Sequence, residues 1–344
     1  MSQQTDERRL TVAEALREAI FEEMERDETV FCIGEDIGIT GGWGGAFTVT
    51  LGIEKRFPER TINTPISEIA IFGGALGSSI AGMRPIADVQ YGDFLFCAMD
   101  QIVSQISMMR YMSGGEFKTP IVMRAPVGAS GRGSQHAHSM ESWFINIPGI
   151  KVVCPSNAYD AKGMLKAAVR DDNPVLIFEH KLLYGSKGAR AESGAIDASR
   201  VIPSHDYVVP LDKAAVAREG TDVTVMSNLL MLHKTLVAAE ELMREGISCE
   251  VIDMRTLAPM DTECMFASVS KTGRAVTVEE CTKRGGWGAE AAAEIAESIP
   301  ENLLAPIKRI ASLDTPVPFS PVMENFYLPS NERIKQGIRE TVQY

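Results

Sequence analysis

Apolar residues along this chain alternate between two spacings. Short, nearly continuous apolar runs, such as 29–33 and 174–178, are separated by longer stretches in which apolar positions recur every three or four residues. The first spacing is that of a strand buried on both faces, the second that of a helix with one apolar stripe. The first helix opens at Thr11, where Glu14 three positions on predicts a capping box, and Ala15, Ala19, Ile20 and Met24 then share one face. Further along, the pattern predicts helices over 67–81, 94–111 and 157–169 and strands over 85–89, 120–124, 151–154 and 174–178. Strands that alternate with helices in this way predict a parallel sheet covered by helices.

The periodicity fades between 184 and 217, where Gly185, Gly188, Gly194, Pro203 and Pro210 mark a connection between domains. A second, smaller alternation comes next, with strands over 222–226, 249–253, 274–278 and 307–311, helices over 230–244 and 288–298, and a polar helix at 331–341. The expected fold class is therefore α/β, with two parallel or mixed-sheet three-layer domains at 1–184 and 218–344 joined by 185–217. The tetrad Gly-Gly-Trp-Gly occurs at 41–44 and again at 285–288, but the residues after each copy differ, so no internal repeat is inferred.

A length of 344 residues suits two domains, and 34 Lys plus Arg against 46 Asp plus Glu leaves a net charge of −12. That sign repels phosphate backbones and anionic lipid, so neither nucleic-acid nor membrane binding is expected. Six scattered cysteines, none in a two-residue gap, read as small apolar core residues. No apolar leader follows the polar first ten residues, and the stretch 69–83 is shorter than a membrane span of about 20 residues. Together these features predict a soluble chain in a reducing compartment, the cytoplasm.

Candidate chemistry sits in two places, and neither is a P-loop or a GxGxxG turn after the first strand. The loop 128–133 holds three glycines after a predicted strand, where open α/β sheets bind ligands, and leads into His136 and His138. Two histidines one residue apart suggest a metal pair, but no third ligand is near in sequence. A proton-transferring or substrate-orienting histidine fits better, and a structural one is the alternative. The second place is 64–69, where Ser67 is a plausible N-cap and Glu68 falls in the first helical turn. The helix dipole there favours the ionised carboxylate. Enclosure by Ile66, Ile69, Ile71 and Phe72 would instead favour the protonated acid.

Several ordered motifs extend this reading: Asn63-Thr64-Pro65-Ile66-Ser67-Glu68, the stretch 88–101 (DVQYGDFLFCAMDQ), Tyr111-Met112-Ser113-Gly114-Gly115, His136-Ala137-His138-Ser139 and Arg170-Asp171-Asp172-Asn173-Pro174. They continue through Asp253-Met254-Arg255-Thr256-Leu257 and Val278-Glu279-Glu280 to Asp314-Thr315-Pro316. Over nearly its whole length the chain resembles the beta subunit of thiamine-diphosphate-dependent 2-oxo acid dehydrogenases, of the pyruvate, branched-chain or acetoin type. The resemblance implies a transketolase-like pyrimidine-binding domain followed by a transketolase C-terminal domain.

By the same resemblance, Glu68 hydrogen-bonds a ring nitrogen of the cofactor's aminopyrimidine and promotes the tautomer that activates the thiazolium carbon. Phe94 packs on that ring and Gln90 lines its pocket. His136, by its spacing before Pro148-Gly149, orients the 2-oxo acid or the lipoyl group and supplies a proton. A potassium ion is implied near Ile121, Ala168, Val169, Asp171 and Asn173, held mainly by main-chain carbonyls. Without the resemblance, Asp171 and Asn173 read as a helix-ending turn before Pro174.

The Gly-Asp-Gly segment that commonly holds Mg²⁺ and the diphosphate is absent from the sequence. The expected consequence is that an alpha subunit supplies that half of the site, in an α2β2 assembly that passes its acyl group to a lipoyl acyltransferase core. Asn63 and Asp88 depart from the aspartate and glutamate usual in such proteins, and Trp43 has no assigned role. A transketolase-like half enzyme transferring ketol groups and a non-catalytic scaffold subunit are the alternatives.

Overall fold

The computed structural model describes residues 8–42, 44–185 and 194–344; Trp43, Gly188 and the rest of 186–193 lie outside the described residues. The chain divides into two compact units. One comprises residues up to Pro126 with Pro148–Ile150 and Asn157–Leu211, and the other comprises Val127–Ile147, Lys151–Ser156 and Asp212–Tyr344.

In the first unit the strand Val30–Glu35 pairs in parallel with Thr61–Thr64 on one side and with Arg84–Asp88 on the other. Arg84–Asp88 pairs in parallel with Val122–Val127, whose next neighbour in the sheet is Val175–His180. The predicted capping box is present: Thr11 Oγ1 accepts from the Glu14 amide at 3.3 Å, and Glu14 accepts from the Thr11 amide at 2.9 Å. The helix it opens, Val12–Arg26, lies along the helix Ala158–Arg170. Apolar residues seal the middle of that seam, and Glu18, Glu22 and Glu23 meet Lys162, Lys166 and Arg170 along its edge.

Two expectations change in this unit. Thr61–Thr64 is an unpredicted strand, because a short, half-exposed strand at the end of a sheet carries no apolar run. The segment expected as one α-helix over 94–111 is instead a 3₁₀ turn series at Gly92–Ala98, a π-helix at Asp100–Ile106 and an α-helix at Ser107–Met112. Over so few turns, apolar spacing does not separate 3.0, 3.6 and wider repeats.

The second unit centres on Val223–Ser227, flanked in parallel by Cys249–Asp253 and Ala275–Thr282, with Lys308–Ser312 beyond the latter. Ala215–Arg218 closes the other edge antiparallel to Cys249–Asp253, so this sheet is mixed. That strand falls inside the predicted connection. The helices Leu229–Met243, Trp287–Ser298 and Asn331–Gln343 stand where the pattern puts them. Two further helices, Thr262–Thr272 and Pro321–Tyr327, lie outside the predicted pattern. Thr262–Thr272 buries only Met265, Ser268, Val269 and Thr272, too sparse a stripe to read, and is bounded by an Asp261 cap and Gly273 at φ +71°. Among the described residues no helix is long and apolar enough to cross a membrane.

Candidate active site

Three parallel strands of the first unit end side by side, and the candidate residues cluster at those carboxyl ends. In-register pairing puts Glu35 beside Thr64 and Gly34 beside Asp88. Gly34 is required there, since a Cβ would lie 2.6 Å from the Asp88 carbonyl oxygen. From Thr64 the chain passes directly into the helix Glu68–Ile80, and from Asp88 it runs on to Gln90, whose Nε2 donates to the Glu35 carbonyl at 2.8 Å. Phe94 follows one 3₁₀ turn later, its ring edge-on to Tyr91 at 5.8 Å.

Glu35 is the residue that sequence reasoning missed. Partial burial raises its carboxyl above the usual range, and the neighbouring carboxylates Asp36 and Glu68 raise it further. Among the described residues neither Glu35 nor Glu68 has a side-chain hydrogen-bond donor. Two neighbouring carboxylates without donors fit a nitrogen-rich ligand that brings N–H groups, which is what an aminopyrimidine presents. The signal available in the sequence was a lone acid at the end of the first strand.

The expected apolar enclosure of Glu68 is corrected. Ile71 and Phe72 are buried, but Ile66 and Ile69 are 75% and 55% exposed in this chain. The helix Glu68–Ile80 turns only one stripe inward; Ile69 falls off it, and Ile66 lies in the turn before the helix begins. Ser67 holds the N-cap position, but its hydroxyl makes no capping bond.

Beneath these residues lies a buried ionic cluster across three neighbouring strands. Arg124 donates to Glu179 through Nε at 2.8 Å and Nη2 at 2.6 Å, and its other nitrogen reaches Asp88. Tyr184 donates to Glu179 at 2.6 Å. Burial pushes the Asp88 carboxyl up to about 6 against the opposing pull of Arg124. A cavity of about 10 Å³, room for about one water, is lined by Asp88, Gln90, Arg124, Tyr184, Gly45 and Phe47.

The five residues named for potassium gather at the end of Ala158–Arg170 and the turn beyond it. Arg84 Nη1 donates to the Val169 and Asp171 carbonyls at 3.0 and 2.9 Å. The Ile121 carbonyl accepts from the Val175 amide, and that of Ala168 from the Asp171 amide. Asn173 Oδ1 accepts from Arg110 at 2.6 Å. A guanidinium thus already draws two of these carbonyls inward. Among the described residues no three His, Cys, Asp or Glu side chains gather as a metal site.

His136 and His138 belong to the second unit, both half-buried. His136 ends the short 3₁₀ turn Ser134–His136, and its amide donates to the Gly133 carbonyl at 3.1 Å. The His138 carbonyl accepts from Gly128 at 3.1 Å, which closes the loop at its base. Ala129 and Ala137 are packed in an apolar cluster with Val317, Tyr327 and Leu328. Gly133, at φ +83° and ψ 174°, presses against Phe319, where a Cβ would come within 2.6 Å of the ring.

Glu141, just after this loop, is buried, and one of its carboxylate oxygens has no partner. Burial, with Glu280 and Glu279 nearby, pushes its carboxyl up to about 8. A folded-state value above the unfolded one means the native chain holds the proton longer, so this group's stabilising contribution is lost as pH rises from about 4.5 to about 8. Glu141→Gln is expected to match the native protein at pH 5 and to exceed it at pH 8.5 by on the order of a few kcal/mol. Denaturant unfolding at the two pH values checks this; an equal difference at both would refute it.

The fold and the carboxyl-edge site define a class. A family model described as the transketolase pyrimidine binding domain matches residues 8–187, and one described as the transketolase C-terminal domain matches 212–334. The chain is 43% identical over 338 residues to the 2-oxoisovalerate dehydrogenase subunit beta of Bacillus subtilis, covering 97% of this chain and 99% of that one. It is 40% identical to the pyruvate dehydrogenase E1 component subunit beta of Bacillus subtilis, covering 97% and 99%. It is also 40% identical to the acetoin:2,6-dichlorophenolindophenol oxidoreductase subunit beta of Cupriavidus necator, covering 97% and 98%. A solved structure titled as a split gene transketolase, inactive beta4 tetramer, shares the fold with a TM-score of 0.77 at 24% identity, over 97% of this chain and 98% of that one. The chain belongs to the family of 2-oxo acid and acetoin dehydrogenase beta subunits, built on the transketolase fold.

Proposed function

We propose that this chain is the beta half of a thiamine-diphosphate-dependent dehydrogenase that decarboxylates a 2-oxo acid or cleaves acetoin and passes the acyl group to a lipoyl acyltransferase. The observation that carries the proposal is the pair of donor-free carboxylates, Glu35 and Glu68, beside Gln90 and Phe94 at the carboxyl edge of the sheet. When bound, thiamine diphosphate supplies the electron sink for cleaving the bond next to the carbonyl.

Glu68 holds and returns a proton at a ring nitrogen of the aminopyrimidine. Gln90, held by the Glu35 carbonyl, presents its side chain along the same edge. Phe94 offers a ring for stacking. His136 moves a proton during acyl transfer. The alpha subunit supplies the Mg²⁺ and diphosphate ligands in an α2β2 assembly. Ile121, Ala168, Val169, Asp171 and Asn173 would hold a potassium ion, mainly through main-chain carbonyls. The pyrimidine-binding domain spans 1–184 and the C-terminal domain 218–344, joined by 185–217. Six unpaired cysteines support a cytoplasmic location.

The chain lacks Gly-Asp-Gly, so the isolated protein is expected to bind thiamine diphosphate with Mg²⁺ weakly and to turn nothing over, and the alpha subunit should restore both. Calorimetric titration of the isolated chain decides it: micromolar or tighter binding without a partner would mean a complete site resides here.

A further inference from the structure

Two carboxylates from distant parts of the second unit end on main-chain amides of the loop that carries His136. Glu280, on the strand Ala275–Thr282, accepts from the Ala129 amide at 2.7 Å. Glu324, on the helix Pro321–Tyr327, accepts from the Gly131 amide through both oxygens at 3.0 Å. Both side chains are buried. Loss of solvent lowers the ammonium of Lys234, from the helix Leu229–Met243, the Glu280 and Glu324 charges partly offset this, and its Nζ donates to the Pro329 carbonyl at 3.4 Å.

The arrangement is more than loop anchoring. Ala129 and Ala137 already tie the two ends of the loop into the apolar cluster with Val317, Tyr327 and Leu328. What they leave untied is the glycine-rich span between them, whose backbone has the widest conformational choice in the segment. The Gly131 amide lies in that span, and it is the group Glu324 grips with both oxygens.

We propose that Glu280 and Glu324 form a clamp that positions the loop 128–138, so that the imidazole of His136 is held where it moves a proton during acyl transfer. The inference rests on the reading of His136 given above. Both are positioning residues that act through the backbone amides of the loop.

The test uses the assembled enzyme with its alpha subunit. Glu280→Ala and Glu324→Ala are expected to raise hydrogen exchange in peptides spanning 128–138 while leaving the rest of the chain unchanged. They should lower the rate of lipoyl acylation roughly tenfold or more, with KM for the 2-oxo acid nearly constant. Glu280→Gln and Glu324→Gln keep an acceptor oxygen and should recover most of both readouts. Unchanged exchange in both alanine variants would overturn the clamp. Raised exchange with native acylation would overturn its effect on rate. His136→Ala with native acylation would instead refute the role of His136 itself, while the exchange data would still report on the clamp.

Discussion

Glu68→Gln in the assembled enzyme is expected to lower decarboxylation by about 10²- to 10⁴-fold with the fold intact. An amide of the same shape still accepts a hydrogen bond, but it does not take and return a proton at the aminopyrimidine nitrogen. Two effects on stability oppose each other. Neutralising the first residue of the helix Glu68–Ile80 removes about 0.3–1 kcal/mol of favourable interaction with the helix dipole. It also removes the repulsion that raises the neighbouring Glu35 carboxyl. The net change in melting temperature should be small, so lost turnover reports chemistry. Native turnover of the variant, measured as CO₂ release under saturating cofactor, would remove Glu68 from the mechanism.

Arg124→Met is expected to destabilise the protein by about 3–5 kcal/mol near neutral pH, because a buried guanidinium held by two carboxylates cannot be removed without leaving them unpaired. Methionine fills much of the volume, so the loss is electrostatic. Asp88 and Glu179 flank the vacated position, and the Asp88 carboxyl, raised by burial, loses the guanidinium that opposes that rise. With the folded value of Asp88 above its unfolded one, its share of the penalty is absent at low pH, where the acid is protonated in either state, and grows as pH rises. Urea unfolding at pH 5 and pH 8 should show the larger deficit at pH 8. A deficit that is equal at both, or larger at pH 5, would contradict this account. Asp88 ends the strand that leads to Gln90, so damage here is also expected to reach the candidate site.

Features set by neighbours in the chain are legible in the sequence alone. The Thr11 and Glu14 cap, the helix expected at 67–81 and found at Glu68–Ile80, and the alternation of strands and helices all depend on residues within one or two turns of each other. Glu68 is legible as a candidate for the same reason. Glu35 is not, because its importance arises only when parallel pairing sets three strand ends in one row. The two carboxylates that grip the His136 loop lie 151 and 193 residues from the amides they bind, beyond the reach of any periodicity. Ile66 and Ile69 mislead in the opposite direction: apolar neighbours in sequence suggest enclosure, while the turn before the helix leaves Ile66 exposed and the helix turns Ile69 outward. Sites at sheet edges are assembled by register, and register is a property of the whole sheet.

The glycines of the His136 loop also differ in how freely the chain can change over generations. Gly131 sits at φ +74° with open space where a side chain would go, so its constraint is one of backbone shape alone, which asparagine or aspartate meets in part. Gly133 combines positive φ with fully extended ψ, a conformation essentially closed to every other residue, and has an aromatic ring against its missing Cβ. Drift at position 131 is therefore gradual and reversible. At position 133 every single replacement costs the loop its shape, and escape requires Phe319 and the backbone to change together.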